Sequence, residues 1–329
     1  MSLSPAGQLL PSLKLGFAEV CESWRLLSYF FPDKIGGRPA WLALKHLPLP
    51  SHLACQYCGE PMAFMLQLYS PIENNVNCFH RSLFVFICKN GKCFQIGNSP
   101  VKVFRSQLPR MNEYYRFLLL SPNSLVSFEP PQCNTRTELE ALAADSKLSD
   151  PRLFGDICPV CGCRGDKMCH TCNLASYCSK NHQFLHWEQE HKAECVRGPY
   201  KNASCLPLLI RSNSFLLPEF NLCSEDADQS QILQEDTSDI PSQINFCEED
   251  QESAALEEMA NKESEEEALF EKLKTAMMTE QDQVVRFLRG GQPIWLSKSV
   301  PFIPCCEVCG SERVFEFQLT GDIPDPLLN

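Results

Sequence analysis

The string Cys158-x2-Cys161-x7-Cys169-x2-Cys172-x5-Cys178-x3-His182-x8-His191-x3-Cys195 limits this chain more than any other feature it carries. So many thiols and imidazoles in so short a stretch leave little room for a hydrophobic core, and rigidity must come from elsewhere. Zinc supplies it. Each CxxC turn brings two thiolates to one ion, and eight ligands fill two tetrahedral sites with no position left for water. Closed coordination of that kind is structural rather than catalytic.

Spacing sorts the second half of the string. Phe184, Leu185 and Trp187 predict a helix over Asn181–Cys195. Residues four apart share a helix face, which pairs Cys178 with His182 and His191 with Cys195. His182 and His191 are nine residues apart, about 900° of rotation at roughly 100° per residue, so they serve different ions. Cys163 reads as a bystander, His170 and His186 as surface histidines, and Trp187 as a core residue.

The chain has 20 cysteines in 329 residues. Disulfide scaffolds of that density are short and secreted. The first twenty residues here lack the basic start and unbroken apolar core of a signal peptide, and runs such as Leu83–Cys88 fall far short of the ~20 residues of a membrane helix. The expectation is therefore a reduced protein of cytoplasm and nucleus, away from membranes, with cysteines that bind metal. The net charge of −12 is concentrated: Ser224–Glu267 holds sixteen acids and one base, Lys262, so the rest is slightly basic. A solvated linker is the plain reading of that segment.

An internal repeat organises the remainder. Gly36-Gly37-Arg38-Pro39-Ala40-Trp41-Leu42 matches Gly290-Gly291-Gln292-Pro293-Ile294-Trp295-Leu296 at five of seven positions, and each copy is followed by CxxCG, at Cys55–Gly59 and Cys306–Gly310. Beyond the second cysteine both copies carry Phe at the sixth position (Phe64, Phe315) and Gln-Leu at the ninth and tenth (Gln67-Leu68, Gln318-Leu319). Agreement in two separated blocks predicts a duplication. In the first copy Cys55 and Cys58 are followed by Cys88-x4-Cys93 across two predicted strands, Met62–Tyr69 and Arg81–Cys88, so the halves can meet as a third zinc site, with Cys78 and His80 as alternative ligands. In the second, Cys306 and Cys309 form an orphan half-site: either a cysteine from elsewhere completes it, or the chain is a shortened form of a longer protein, which is the favoured expectation.

The central block resembles the MYND zinc finger, down to Tyr177-Cys178-Ser179, Gln183, Trp187 and His191-Lys192. That resemblance implies interleaved ligands: Cys158 and Cys161 with Cys178 and His182, Cys169 and Cys172 with His191 and Cys195. MYND fingers use a nearby groove for proline-containing peptides. Leu15-Gly16-Phe17, the GGRPAWL segment, CxxC, Val103-Phe104-Arg105-x-Gln107-Leu108-Pro109-Arg110, the finger, Phe215–Phe220 and the second GGxPxWL resemble, in that order, the programmed cell death protein 2 family. The chain reads as a C-terminally shortened member. The resemblance implies a dedicated chaperone for a newly made small-subunit ribosomal protein in ribosome biogenesis, and a finger linked to transcriptional regulators.

The expected fold class is α+β: two duplicated β-rich zinc-ribbon-like modules packing together, an inserted two-zinc MYND finger, and an acidic, partly helical linker. The map is 13–117 for the first module, 118–157 for a loop, 158–195 for the finger, 196–285 for the extended acidic linker with a helix over Gln251–Met278, and 286–329 for the incomplete second module. Walker, GxGxxG, HExxH and GxSxG motifs are missing, so no enzyme is expected. No dense basic stripe exists for nucleic acid.

Overall fold

A computed structural model of the chain describes residues 12–72, 74–115, 119–121, 124–125, 132–144, 156–197, 211–227, 267, 269–271, 273–275, 282–295 and 302–320. Its strands are β1 (Lys14–Glu19), β2 (Lys34–Ile35), β3 (Ala63–Tyr69), β4 (His80–Ile87), β5 (Val101–Leu108), β6 (Leu119–Ser121), β7 (Ser124–Leu125), β8 (Lys167–Met168), β9 (Ser176–Tyr177), β10 (Phe220–Asp226), β11 (Gln283–Phe287) and β12 (Phe317–Leu319). Among the described residues the helices are α1 (Arg136–Ala144), α2 (Lys180–His186) and α3 (Lys192–Arg197), with short 3-10 turns, a π-turn and helical residues within 267–275. The chain divides into two compact units, residues 19–222 and the two segments 1–18 and 223–329. Among the described residues no helix is long and apolar enough to cross a membrane.

In the unit of residues 19–222 the two predicted strands form β3 and β4. They pair antiparallel from Ala63↔Ile87 to Tyr69↔Ser82, with a bulge between Phe64 and Leu66, and β4 pairs in unbroken register with β5, from His80↔Leu108 to Ile87↔Val101. Nearly every residue of β3 and β4 is buried, which explains their continuous apolar sequence: a strand covered on both faces does not alternate. On the other side of β3 lies β2, and Phe220 and Asn221 of β10 pair with Ile35 and Lys34. Gly36 turns the chain there at φ +65°, and the position takes glycine because a Cβ would lie 1.8 Å from the Pro218 carbonyl oxygen.

Trp41 anchors the core of this unit. Its ring lies 4.4 Å from Phe84 and 5.8 Å from Phe86, while Phe64 meets Phe86 edge-on at 5.6 Å. The same buried cluster continues through Cys55, Cys88 and Cys93 into Cys158, Cys161, Tyr177, Cys178 and Cys195. The finger therefore shares one hydrophobic interior with the strands.

The stretch 118–157, expected as loop, contains a β6–β7 hairpin and α1. Thr135 and Glu138 begin that helix as a capping pair: the Glu138 N–H donates to Thr135 Oγ1, and the Glu138 carboxylate accepts the Asn134 N–H. Leu139 then packs against Trp24, Leu27 and Tyr29.

In the other unit, β1 pairs antiparallel with β11, from Lys14↔Phe287 to Phe17↔Gln283, and β11 pairs with β12. Of the helix expected over Gln251–Met278, the residues Glu267, Leu269, Phe270, Glu271, Leu273, Lys274 and Thr275 are helical. The rest of that helix, and nearly all of the acidic segment, lie outside the described residues.

Candidate metal centres

Among the described residues three clusters could each hold a metal ion: Cys55, Cys58, Cys88 and Cys93; Cys158, Cys161, Cys178 and His182; and Cys169, Cys172, His191 and Cys195. Within each, the ligand atoms lie within 4.8 Å of one another. Sulfurs ~2.3 Å from a zinc ion at tetrahedral angles stand roughly 3.8 Å apart. Cys58 and Cys88, and Cys161 and Cys178, have their sulfurs 3.6 Å apart. His182 turns Nδ1 to its cluster, 3.1 Å from Cys178 Sγ, whereas His191 turns Nε2, 3.5 Å from Cys172 Sγ.

The interleaved grouping implied by the finger's resemblance is the grouping the structure brings together. Cys78 and His80 stand apart from the first cluster: His80 Nδ1 meets the Tyr69 hydroxyl at 2.9 Å and its ring stacks on Phe31. Cys163 is buried without joining a cluster, and His170 is exposed. His186 differs from the expectation. It is buried, 3.0 Å from the Tyr177 hydroxyl and stacked on His191. Its spacing of four from His182 and five from His191 was the available signal.

Local backbone explains how short segments hold these positions. At Cys55, Cys158 and Cys169 the turn is built alike. The N–H four residues on donates to the cysteine carbonyl, from Gly59, Gly162 and Asn173, and the cysteine N–H donates to a carbonyl just beyond, of Glu60, Cys163 and Ala175. The fourth-on residue takes positive φ, +74° at Gly59, +72° at Gly162 and 56° at Asn173, which Gly and Asn tolerate best. The remaining finger ligands ride on a helix. Ser179 caps it, its hydroxyl accepting the His182 N–H, and a π-turn over Trp187–His191 joins α2 to α3. That wider turn departs from the uniform 100° per residue of the sequence argument, yet His182 and His191 still serve separate clusters.

Electrostatics fit a cation. For Cys55, burial raises the thiol pKa, but the N–H groups of Cys58 and Tyr57 and the thiols of Cys88 and Cys58 outweigh it and bring the value to about 7. Cys88 is pushed up to about 12, first by burial. Cys169 falls to about 6, since N–H donors from Cys172 and Thr171 and the His191 imidazole overcome its burial, while burial and the thiols of Cys172 and Cys169 raise Cys195 to about 11. In the remaining cluster Cys158 is lowered despite burial, and Cys161 and Cys178 are raised, each chiefly by its contact with Cys158. Among crowded thiols each negative charge opposes the next, so lowering one raises its neighbours. A zinc ion in each cluster would let all of them ionise.

The finger is fastened to the sheet by residues whose role was not legible. Trp41 Nε1 donates to the Gly162 carbonyl at 2.8 Å, and the Arg38 guanidinium donates to Pro159 O through Nε and Nη2 and to Arg211 O. Asn213 donates to Val160 O, and Phe215 stands edge-on to His182 at 4.1 Å. Trp41 is only 5% exposed, so it braces the finger from within the core.

A clasp recurs in both units. The Gln67 side chain accepts the Ala40 N–H and donates to Ala40 O, and Gln318 does the same at Ile294. These pairs hold corresponding positions of the sequence repeat.

Fold and ligands together define a sheet-rich, zinc-binding protein carrying a MYND finger. Residues 158–195 match the MYND finger family, residues 12–120 the N-terminal domain of programmed cell death protein 2, and residues 267–327 its C-terminal putative domain. Programmed cell death protein 2 from Mus musculus is 38% identical over 93% of this chain and 83% of its own length, and that from Bos taurus is 38% identical over the same shares. This chain belongs to the programmed cell death protein 2 family. A ubiquitin carboxyl-terminal hydrolase of Arabidopsis thaliana is 42% identical over 60 residues, 6% of that protein. No solved structure matches the chain.

Proposed function

We propose that this chain is a non-catalytic, zinc-dependent holding factor for a newly made, basic ribosomal protein of the small subunit, working in cytoplasm and nucleus during ribosome assembly. The observation that carries it is the continuous interior of residues 19–222, where two finger clusters and the Cys55 cluster share one core with Trp41, Phe84 and Phe86. Three structural zinc ions fix that body as a rigid platform, the arrangement suited to binding a partner. The recurring CxxC turn and glutamine clasp support two related modules, of which the second, over 286–329, carries the Cys306–Cys309 half-site. Direct nucleic-acid binding and membranes play no part.

The acidic segment supplies charge complementarity. A basic client needs shielding before it meets RNA, and sixteen acids against one base between Ser224 and Glu267 steer its capture. At ~0.15 M salt the ~8 Å screening length confines that help to close range, so association slows as salt rises. Neutralising Glu263, Glu265, Glu266, Glu267 and the neighbouring acids lowers the on-rate; an unchanged rate removes the steering. Native purification with mass spectrometry tests the whole reading: one basic ribosomal protein in equal amount supports it, and its absence sinks it.

A second reading, an adaptor that recruits transcriptional corepressors or proline-containing peptides through the finger, draws on Met168, Leu174 and Phe184, which are 48%, 58% and 62% exposed. Ligand substitutions such as Cys178→Ser cannot separate the readings, because the finger shares its core with the sheet. Leu174→Ala with Phe184→Ala does: an adaptor loses its partners, whereas client capture persists.

A further inference from the structure

Strand β5 (Val101–Leu108) ends the strand order on its side of the sheet, next to β4 and to no other described strand. Antiparallel partners alternate between pairs that exchange both backbone bonds and pairs that exchange none. Cys88 N–H donates to Pro100 O at 2.9 Å, and the register from His80↔Leu108 to Ile87↔Val101 is unbroken. Counted by twos from Pro100, therefore, Lys102, Phe104, Ser106 and Leu108 turn their backbone polar groups toward β4. Val103, Arg105 and Gln107 turn theirs the other way, along an edge that no described strand covers.

The side chains follow the same alternation. Phe104 meets Phe86 edge-on at 5.8 Å, and Lys102 Nζ donates to His52 O and Ala54 O, both at 2.8 Å. Val101, Val103, Arg105 and Gln107 are exposed, and they share one face because residues two apart in a strand do. Proteins guard open edges with short strands, bulges, proline or charge. β5 runs for eight residues with no proline and no bulge against β4. Its charge has a single sign: between Glu73 and Glu113 lie six bases and no acid.

We propose that the open edge of β5 is a docking site for an acidic, extended segment of a partner protein, which joins the sheet as an added strand. Main-chain bonds to Val103, Arg105 and Gln107 supply affinity, and alternate side chains supply choice. Apolar residues of the segment cover Val101 and Val103, and a carboxylate beside Arg105 forms a charge-assisted pair. Self-pairing of two such strands would set base against base, and RNA offers no ladder of amides to match the edge. A basic client is repelled by the same stretch. The edge therefore takes a different partner, and this inference does not rest on the client or on the finger.

The test uses the full, zinc-loaded chain and a fluorescent, end-blocked peptide, Thr-Asp-Glu-Thr-Val-Asp-Val. Run antiparallel, as β2–β3, β3–β4 and β4–β5 do, it sets its valines beside Val101 and Val103 and its glutamate beside Arg105. Fluorescence anisotropy should show binding, weakened ~10-fold or more by Arg105→Glu or by lysines in place of the peptide's acids. Val103→Pro removes an outward donor without touching the β4 ladder, and should weaken it as much. Where that variant misfolds, a peptide N-methylated at alternate amides gives the same reading on the wild-type chain. Hydrogen exchange locates the strand: bound peptide should slow the amides of Val103, Arg105 and Gln107 ~10-fold, while those of Phe104 and Ser106, already turned to β4, keep their rates. No binding overturns the proposal, as does binding indifferent to the lysine or N-methyl peptide. A wild-type dimer dissolved by Arg105→Glu, or an oligouridylate that displaces the peptide, assigns the edge to another occupant and overturns it too.

Discussion

Single atoms decide several outcomes in this molecule. Gly36 has a hypothetical Cβ 1.8 Å from Pro218 O, whereas at Gly59, also at positive φ, a Cβ meets nothing within 4 Å. Gly36→Ala therefore combines left-handed strain with a backbone collision and costs about 3 kcal/mol or more, against about 1 kcal/mol for Gly59→Ala. Denaturant midpoints of both variants check this; equal costs would remove the collision from the explanation. His80 offers a second case. Buried among Phe31, Tyr69 and Tyr115, it has its pKa lowered to about 4 by desolvation. An unfolded histidine titrates near 6.5, so between 6.5 and 4 the unfolded chain binds more protons, and stability falls as pH drops through that window. From pH 7.5 to 5.5 the loss assigned to His80 is about 1 kcal/mol. The difference between wild type and His80→Gln isolates it, since thiolate contributions cancel; identical pH slopes would refute the assignment.

At the scale of elements, the docking of finger on sheet carries the most consequence. Trp41 fills the core with its ring and holds Gly162 O with its N–H. Trp41→Phe keeps most of the ring and removes the donor beside a CxxC turn, costing about 1–2 kcal/mol. The variant should surrender the zinc of Cys158, Cys161, Cys178 and His182 to a chromophoric chelator several-fold faster, with the zinc of Cys169, Cys172, His191 and Cys195 released at the wild-type rate. Release of both at unchanged rates would mean the docking does not brace the cluster. Legibility divides along the same line. The ligand string could be read because zinc chemistry restricts spacing tightly, and β3 and β4 because long apolar runs bounded by turns leave few alternatives. The contacts of Arg38 and Trp41 with the finger could not, since each spans 121 positions of sequence and depends on tertiary approach. Helix α1 was hidden by a weakly apolar face, although Thr135-Arg136-Thr137-Glu138 announced its start. His186 looked like a surface residue because only the π-turn and Tyr177 give it a buried place.

For the whole molecule, metal stands in place of a large hydrophobic interior. In the unit of residues 19–222 the buried cysteines and the aromatic side chains form one cluster, so loss of zinc should propagate from the finger into β3 and β4 instead of stopping at its edge. Structural zinc contributes an apparent ~10–16 kcal/mol in small peptides, comparable with the whole stability of a domain. A strong chelator should accordingly collapse far-UV signal from the sheet together with the finger, in one transition. A finger that melts alone while the sheet persists would show the shared core to be dispensable. The most direct measurement is elemental analysis of the native, reduced chain. At least three zinc ions per polypeptide are expected, matching the three four-ligand clusters; a folded protein containing none would show that the body holds together without metal.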